Sequence, residues 1–434
     1  MFKPIVSIIL GISLAPAIVS AGAPLAGMGM VGVGIATGTG DISDNPAASS
    51  INLRHHEGAF SAGASWLRLG FSGSALNNSG NSSGWFQSGN ALSWSLVTPM
   101  LGTGRGRLAL GSWQVERRVL NMKEPLDLSM PSSPGGTPLS AGYASGLSRL
   151  RQDGGLYAHG VSWIQTVFGG DHTLSLGGAL LTLDSRESLE VTGDDLLQKD
   201  VVRGLRRVTR RTEMMGPGLV MGWYFRPVPG GSVGAGLLYA GKMSGKTWEK
   251  ADADALVDDT ISRDAQVRVS VGGSLVVLDA LTAALDLRYC GGMKSERILF
   301  AGTPSERLFM EKTDSVFSLS AGAEYRLRLK RVDLPVRMGF FTRPDGMPSD
   351  QAGLAAAPSA QVLVPASFRQ DLMGVTAGTG IESGPLRADI ALAWLVVDTK
   401  IRVPDASGAV NSGKARNSLG VFASFSSRFG GATE

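Results

Sequence analysis

Residues 281–290 read LTAALDLRYC, a stretch in which apolar and polar side chains alternate. Successive side chains of a β-strand point to opposite faces, so Leu285 and Leu287 share one face while Asp286 and Arg288 share the other. The same split between an apolar and a polar face recurs in the neighbouring segments of the chain. The pattern predicts β-strands, but a soluble β-sandwich and a membrane β-barrel both show it.

The lengths of the connections between these segments separate the two possibilities. About fourteen segments follow the two-residue period. Their even-numbered connections are compact, whereas the odd-numbered ones are long and polar, as in residues 117–154, 186–215 and 343–370. Bacterial outer-membrane barrels have an even number of strands, short periplasmic turns and long extracellular loops. We therefore predict an all-β fold, a transmembrane antiparallel β-barrel of about fourteen strands. The strands are expected near residues 58–72, 90–98, 105–117, 155–168, 172–185, 216–227, 232–245, 265–278, 281–293, 315–328, 334–342, 371–382, 386–398 and 417–429.

The first 21 residues have the layout of a secretory signal peptide. A basic residue near the start precedes an apolar run at 5–14, and the small residues Val19 and Ala21 are placed for cleavage. Beyond residue 21 no uninterrupted apolar run reaches about 18 residues, which argues against a helical membrane protein. The 59 glycines and 18% charged residues among 434 suit strands that face lipid. The single Cys290 excludes an intramolecular disulfide.

Residues 22–57 are glycine-rich and lack the period of a strand, so we predict a plug, or hatch, inside the barrel lumen. Gly27, Gly29 and Gly32 match the dinucleotide fingerprint G-x-G-x-x-G, but no strand precedes them and no helix is expected after them, so no cofactor is predicted. The barrel is expected to span residues 58–429, followed by a short tail at 430–434.

One motif in the hatch resembles a known family. The stretch GMGMVGVG at 27–34 leads to Asn45-Pro46-Ala47 and then to a strand. This arrangement resembles the N-terminal hatch of the FadL/TodX family of outer-membrane transporters for hydrophobic compounds. The resemblance covers the mature chain in architecture and residues 26–65 in recognisable motif. It implies a fourteen-stranded, hatch-plugged barrel that takes up a hydrophobic small-molecule ligand passively, with a long-chain fatty acid as the expected cargo.

The resemblance also implies a location and partners. The last strand has an apolar face that ends at Phe429, and it resembles the aromatic-ended strand by which outer-membrane barrels are recognised for insertion. We therefore expect an integral protein of the outer membrane of a diderm bacterium, in contact with membrane lipid and with the barrel insertion machinery.

Candidate site residues fall into three groups. Asn45, Pro46 and Ala47 are expected to form the hatch gate, because proline fixes its own φ and restricts the residue before it. In the long loop 186–215, an apolar stripe at helical spacing lies beside a set of arginines that suits a carboxylate or phosphate; the alternative is a solvated basic loop. Inward-facing arginines of the barrel wall form the third group, and they either hold an anionic head group or brace the wall. The candidate ligand-binding residues of the last two groups are Leu197, Val201, Leu205, Arg203, Arg206, Arg207, Arg268, Arg288 and Arg326.

Other function classes are disfavoured. The sequence has no G-x-S-x-G nucleophile motif and no convincing set of catalytic residues, so we do not expect an enzyme. The four histidines have no metal-binding spacing, so no metal site is predicted. A net charge of +4 with mixed signs gives no case for nucleic-acid binding. The remaining alternatives are a general diffusion porin and a surface-exposed binding or adhesion barrel.

Overall fold

The computed structural model describes the barrel strands and parts of the hatch. The predicted signal peptide at 1–21 and the tail at 430–434 lie outside the described residues. The described residues are 28, 30, 32, 45–48, 56–71, 84–99, 106–127, 143–167, 171–195, 202–251, 257–298, 308–344, 346, 353–357, 362–367, 369–402 and 410–429.

These residues form twenty strands in one sheet. The strands are β1 (His56–Phe71), β2 (Gly84–Pro99), β3 (Gly106–Asp127), β4 (Tyr143–Val167), β5 (His172–Asp195), β6 (Val202–Val228), β7 (Gly231–Ala240), β8 (Met243–Ala251), β9 (Val257–Arg263), β10 (Gln266–Leu278), β11 (Leu281–Cys290), β12 (Met293–Ile298), β13 (Leu308–Thr313), β14 (Val316–Arg328), β15 (Asp333–Arg343), β16 (Gly353–Ala357), β17 (Val362–Ser367), β18 (Arg369–Ser383), β19 (Leu386–Arg402) and β20 (Val410–Phe429).

Fourteen wall positions account for eighteen of these strands. Four positions are divided by a two-residue break, so that β7 continues as β8, β9 as β10, β11 as β12 and β13 as β14. The hairpin β16–β17 is not one of the fourteen wall positions, because β15 and β18 pair directly with each other as neighbours in the wall. The final strand β20 pairs antiparallel with β1 from Phe429↔His56 to Gly413↔Phe71, which closes the barrel. The predicted fourteen-stranded antiparallel barrel is therefore confirmed.

The short turns lie at one end of the barrel. Two-residue turns join β6 to β7, β10 to β11 and β18 to β19, and the link from β14 to β15 is residues 329–332. Gly230 and Gly384 have positive φ angles of 79° and 55°, a conformation that favours glycine in tight turns. We call this the short-turn end.

The opposite end differs from the prediction, because the strands extend much further. Residues 117–154 and 186–215 were expected to be loops, yet β3 runs to Asp127 and β5 to Asp195. Backbone pairing between β3 and β4 continues to Asp127↔Ser145, so the polar sequence at these positions is strand that stands beyond the apolar band.

The wall is apolar outside and polar inside. On β11, Leu285 and Leu287 are 55% and 50% exposed, whereas Asp286 between them is 0% exposed. On β14, Phe317 and Leu319 are exposed and Glu324 is buried. This distribution is the inverse of a soluble protein and matches a barrel whose outer face meets lipid. No helix among the described residues is long and apolar enough to cross a membrane.

Aromatic rings lie on the outer face near both ends of the wall. His172 stacks on Phe225 at 4.1 Å between ring centroids close to the short-turn end, and Trp223 donates to His172 Nδ1 at 3.3 Å. Tyr289 and Phe317 lie 5.1 Å apart towards the other end. These positions suit rings at the boundary between the hydrocarbon and the headgroups.

Candidate functional site

The hatch contacts the inner wall at two places. At the first, the amide of Gly32 donates to Asp286 Oδ2 at 2.6 Å, and Arg288 Nη2 donates to the carbonyl of Met30. Asp286 and Arg288 lie 3.5 Å apart as an ion pair on β11. Met28 and Met30 are completely buried. We call this contact the β11 seat; it ties the glycine-rich start of the hatch to one side of the lumen.

The second contact involves the predicted gate. Asn45 is 0% exposed, and its Nδ2 donates to the carbonyl of Trp223 on β6 at 2.9 Å. Asn45 Oδ1 accepts from the amide of Ala47 at 3.1 Å, which closes a tight turn around the proline. Ala47 and Ala48 pack against Tyr224. This β6 seat fixes the turn at Asn45 in space.

Both seats depend on glycines of the wall. A Cβ added to Gly322 would lie 2.7 Å and 2.9 Å from the carbonyl carbon and Cα of Met28. A Cβ added to Gly222 would lie 2.5 Å from Ser175 Oγ and 3.0 Å from the amide of Ala47. Real side chains do not approach backbone this closely, so the hatch reaches the wall only where the wall lacks a side chain.

Part of the inner wall is apolar. Buried hydrophobic side chains of the strands from β2 to β9 form one continuous cluster inside the barrel. The ring of Trp113 covers Gly160 of the neighbouring strand, with its Cη2 atom 2.7 Å from where a Cβ would stand. The members are Val97, Ala109, Trp113, Leu156, Ala158, Ile164, Leu181, Met214, Val220, Leu238, Ala240, Met243 and Ile261.

The pairing of β2 with β3 is interrupted beside this cluster. The last pair before the interruption is Trp94↔Ser112 on the short-turn side, and pairing resumes at Gln87↔Leu120. Residues 88–93 of β2 and 113–119 of β3 do not pair with each other. Because β3 stays paired with β4 at Trp113↔Ala158 and beyond, the interruption lies on the β2 side alone. We call it the β2–β3 gap.

The height of the β2–β3 gap follows from strand geometry. Its lower edge on β3 is about seven residues from Gly106, or about 18 Å above the short-turn end at a rise of about 3.3 Å and a tilt of about 40°. The apolar band of such barrels is about 25 Å tall. A lower edge at about 18 Å lies within the height of a band of this size that begins at the short-turn end.

A polar contact crosses the lumen to the same place. Arg268 on β10 donates from Nη1 to the carbonyl of Val115 at 3.1 Å and from Nη2 to Gln266 Oε1 at 3.2 Å. Val115 is the extra residue of a bulge between Gln114 and Glu116. Gln114 is 4% exposed, and neither side-chain amide atom has a hydrogen-bond partner among the described residues.

This geometry can be compared with known proteins. No protein-family model and no curated protein matches the sequence. Among solved structures, the toluene transporter TbuX of Ralstonia pickettii is 17% identical over 94% of this chain and 98% of its own, with a TM-score of 0.56. A FadL homologue of Pseudomonas aeruginosa is 10% identical over 96% and 99%, with a TM-score of 0.58. A deltaS2 mutant of the monoaromatic hydrocarbon channel TodX is 13% identical over 95% and 99%, with a TM-score of 0.61.

The chain has the FadL/TodX fold. This fold agrees with two predictions from the sequence. One is the barrel inferred from the two-residue period and the loop lengths, and the other is the family resemblance of the hatch motif. Sequence identity this low establishes the architecture, so the roles of individual residues must be argued from the contacts of this chain.

The FadL/TodX fold here carries an ion-pair network on the inner wall near the short-turn end. Arg337 on β15 is buried; its Nε binds Glu324 Oε2 at 2.7 Å and its Nη1 binds Asp389 Oδ1 at 2.7 Å. The bond to Asp389 passes over β18, the strand between β15 and β19. On β18, Gly378 pairs with Arg337 and Gly380 pairs with Asp389, and the lack of side chains at these glycines leaves room for the bond. Arg337 thus joins three strands of the wall around β18.

The network continues to the seam that closes the barrel. Arg326 Nη2 lies 2.9 Å from Glu324 Oε1, and its Nη1 lies 3.8 Å from Glu382 Oε2. Arg428 on the last strand binds Glu57 on the first at 3.2 Å. These contacts support the bracing interpretation for Arg326, and those of the β11 seat support it for Arg288.

The helical conformation predicted within residues 186–215 is wrong for the part that the structure describes. Leu197 and Val201 lie outside the described residues, whereas Leu205 lies in β6, whose backbone pairs with β5. Residues four apart share a face in a strand as well as in a helix, so the two spacings of four fit both structures, and only the spacing of three from Leu205 to Val208 favoured a helix. The arginines lie on the same strand: Arg203, Arg206 and the exposed Arg207.

Arg210 belongs to the arginine set predicted beside the stripe, but its buried pairing was not predicted. Its guanidinium is buried between Glu187 on β5 and Glu249 on β8, at 3.0 Å and 2.8 Å. It was one of several arginines in an expected loop, and only the strand pairing shows that it points inward between two carboxylates.

Proposed function

We propose that this chain is an outer-membrane channel, not an enzyme, for passive uptake of hydrophobic compounds, with long-chain fatty acids as the cargo. The observation that carries the proposal is the apolar cluster inside a hatch-plugged barrel, next to the β2–β3 gap. The free energy of an apolar molecule falls when it leaves water for an apolar surface. The apolar cluster therefore offers such a molecule a path through the lumen, whereas the ion-pair network around Arg337 does not.

The path has two ends. We propose that cargo is captured at the extended end of β5 and β6. Arg203, Arg206 and Arg207 would attract an anionic head group, and Leu197, Val201 and Leu205 would contact the apolar tail. It would pass along the apolar cluster and leave through the β2–β3 gap towards the membrane. The seated hatch would keep water and ions from crossing meanwhile.

The division of the chain belongs to the same proposal. Residues 1–21 would be removed as a signal peptide, 22–57 would form the hatch, 58–429 the barrel and 430–434 a tail. The first strand begins at His56, two residues before the expected boundary. Insertion would use the outer-membrane barrel machinery, which reads the last strand.

Saturable binding of a fluorescent long-chain fatty acid to the refolded barrel tests the cargo. Unlabelled oleate should displace the probe, and a heat-denatured sample serves as the control for partition into micelles. Toluene is the informative second competitor, because TbuX is named as a toluene transporter. Displacement by toluene and not by oleate would replace fatty acids with monoaromatic hydrocarbons as the cargo. Absence of any saturable binding would contradict the channel.

Replacing Pro46 with alanine should change oleate uptake severalfold and leave barrel assembly intact. Pro46 restricts both its own φ and the conformation of Asn45, whose amide holds the β6 seat, while the strand pairing that closes the barrel does not include this turn. Assembly is checked by the altered gel mobility of the unheated barrel, and uptake with radiolabelled oleate.

The matched control is Pro385→Ala, which changes a proline in the two-residue turn between β18 and β19. Unchanged uptake by a correctly inserted Pro46→Ala protein would show that the turn is not a pivot.

A further inference from the structure

Arg107 lies on the inner face of β3, one residue beyond the start of the strand. It pairs with Ile164 on β4, and Ala109 is two residues further along β3. Residues that pair across two antiparallel strands, and residues two apart in one strand, share a face. Ile164 and Ala109 are buried members of the apolar cluster, whereas Trp163, beside Ile164, is 50% exposed on the outer face. The half-buried Arg107 therefore faces the lumen at the short-turn end of the apolar cluster.

Arg107 differs from the arginines that brace the wall. Arg210, Arg288 and Arg337 each form an ion pair with a carboxylate. Arg107 has no ion pair and no side-chain hydrogen bond among the described residues, and its pairing partners on β2 and β4 are uncharged. A guanidinium stays charged and offers several N–H donors in a fixed fork. Beside apolar side chains such a group favours an anion that reaches it, because a charge-assisted hydrogen bond then satisfies donors that the wall leaves unmet.

The apolar cluster leads from Arg107 to the β2–β3 gap. Trp113, another member, is six residues further along β3. It therefore lies about 15 Å further from the short-turn end, at a rise of about 3.3 Å and a tilt of about 40°. Ser112, beside Trp113, forms the last pair with β2 before the gap. A molecule with an anionic head at Arg107 and an apolar tail on the cluster thus places the end of its tail beside the gap.

We propose that Arg107 is a head-group site, which makes the channel bind anionic amphiphiles in one orientation. The carboxylate lies at the short-turn end of the lumen, and the tail follows the apolar cluster and reaches the β2–β3 gap first. A neutral hydrocarbon binds the same cluster without this orientation. The proposal rests on the proposed channel function and adds the chemical class and the orientation of its cargo.

Equilibrium binding to the full-length refolded barrel tests the head-group site. The ligands are radiolabelled oleate and radiolabelled oleyl alcohol, which has the same tail and a hydroxyl in place of the carboxylate. The proteins are the unsubstituted barrel, Arg107→Gln, Arg107→Lys and the control Arg328→Gln, which removes an exposed arginine. Ion conductance of each protein in planar bilayers shows whether the hatch is still seated.

The expected result is a loss that depends on the carboxylate. Arg107→Gln binds oleate on the order of tenfold or more weakly, because a charge-assisted hydrogen bond is lost, and it binds oleyl alcohol as the unsubstituted protein does. Arg107→Lys keeps the charge and recovers part of the oleate affinity. Arg328→Gln binds both ligands normally, and all four proteins stay closed to ions.

Two nitroxide-labelled stearates, one labelled near the carboxylate and one near the methyl end, test the orientation. The chain has eight tryptophans, so quenching of Trp113 is taken as the difference between the unsubstituted protein and Trp113→Phe at saturating ligand. The label near the methyl end quenches Trp113 more strongly in the proposed orientation. Equal quenching by the two labels, or the reverse order, would overturn it.

Three further results would overturn the head-group site. Unchanged oleate binding in Arg107→Gln would show that the arginine does not contact the cargo. Equal losses for oleate and oleyl alcohol would assign it to packing of the wall, and raised ion conductance would assign it to the hatch. Each of these leaves the proposed function in place while the unsubstituted barrel binds oleate saturably. Failure of every hydrophobic ligand to bind that barrel would instead remove the proposed function, and the head-group site with it.

Discussion

A barrel that carries both Gly222→Ala and Gly322→Ala should conduct ions steadily, whereas the unsubstituted barrel should stay closed. The two added methyl groups collide with the backbone of Met28 and with the Asn45 turn, so the hatch loses both seats. Alanine is at least as compatible with a strand as glycine, so the wall itself should assemble normally. A barrel of this strand number has a lumen that conducts when nothing fills it, and conductance should rise on the order of tenfold or more.

Single-channel recording in planar bilayers measures this effect. Gly178→Ala is the matched control, because a Cβ at that wall glycine meets no atom within 4 Å. Each single variant should give an intermediate rise, since one seat remains. A double variant that assembles and stays closed would show that the hatch does not depend on these two glycines.

The second large effect concerns stability. Replacing Arg337 with methionine should lower the free energy of unfolding by about 3–5 kcal/mol, because it leaves the buried carboxylates of Glu324 and Asp389 without their shared partner. Denaturant titration of the refolded barrel measures the change. Arg328→Met, which alters an exposed arginine, should stay within about 0.5 kcal/mol.

A coupled variant separates loss of pairing from loss of packing. Adding Glu324→Gln to Arg337→Met removes one of the two buried carboxylates that have lost Arg337, and it should restore part of the lost stability. If Arg337→Met costs less than about 1 kcal/mol, the network behaves like a set of exposed ion pairs and does not hold these strands together.

The sequence predicted the wall better than its ends. The two-residue period of segments such as 281–290 follows from lipid on one side and the lumen on the other, so the strands could be placed and counted. Beyond the apolar band both faces meet water and the period fades. The continuations of β3, β5 and β6 therefore looked like loops, although their backbone pairing persists.

The site was predictable only in part. Asn45 and Arg288 stood out through their residue types, and both contact the hatch or the wall at a seat. Gly222 and Gly322 did not stand out, because their importance lies in hatch residues well over a hundred positions away. The β2–β3 gap was equally hidden, since it depends on strand register and not on the composition of either strand.

Uptake in intact cells tests the central claim most directly. A diderm host that lacks its own fatty-acid channel would express this chain, and entry of radiolabelled oleate and of a small hydrophilic sugar would be measured in the same culture. The account predicts saturable oleate uptake with no gain in sugar permeation. Sugar permeation without oleate uptake would contradict it and identify a general diffusion porin.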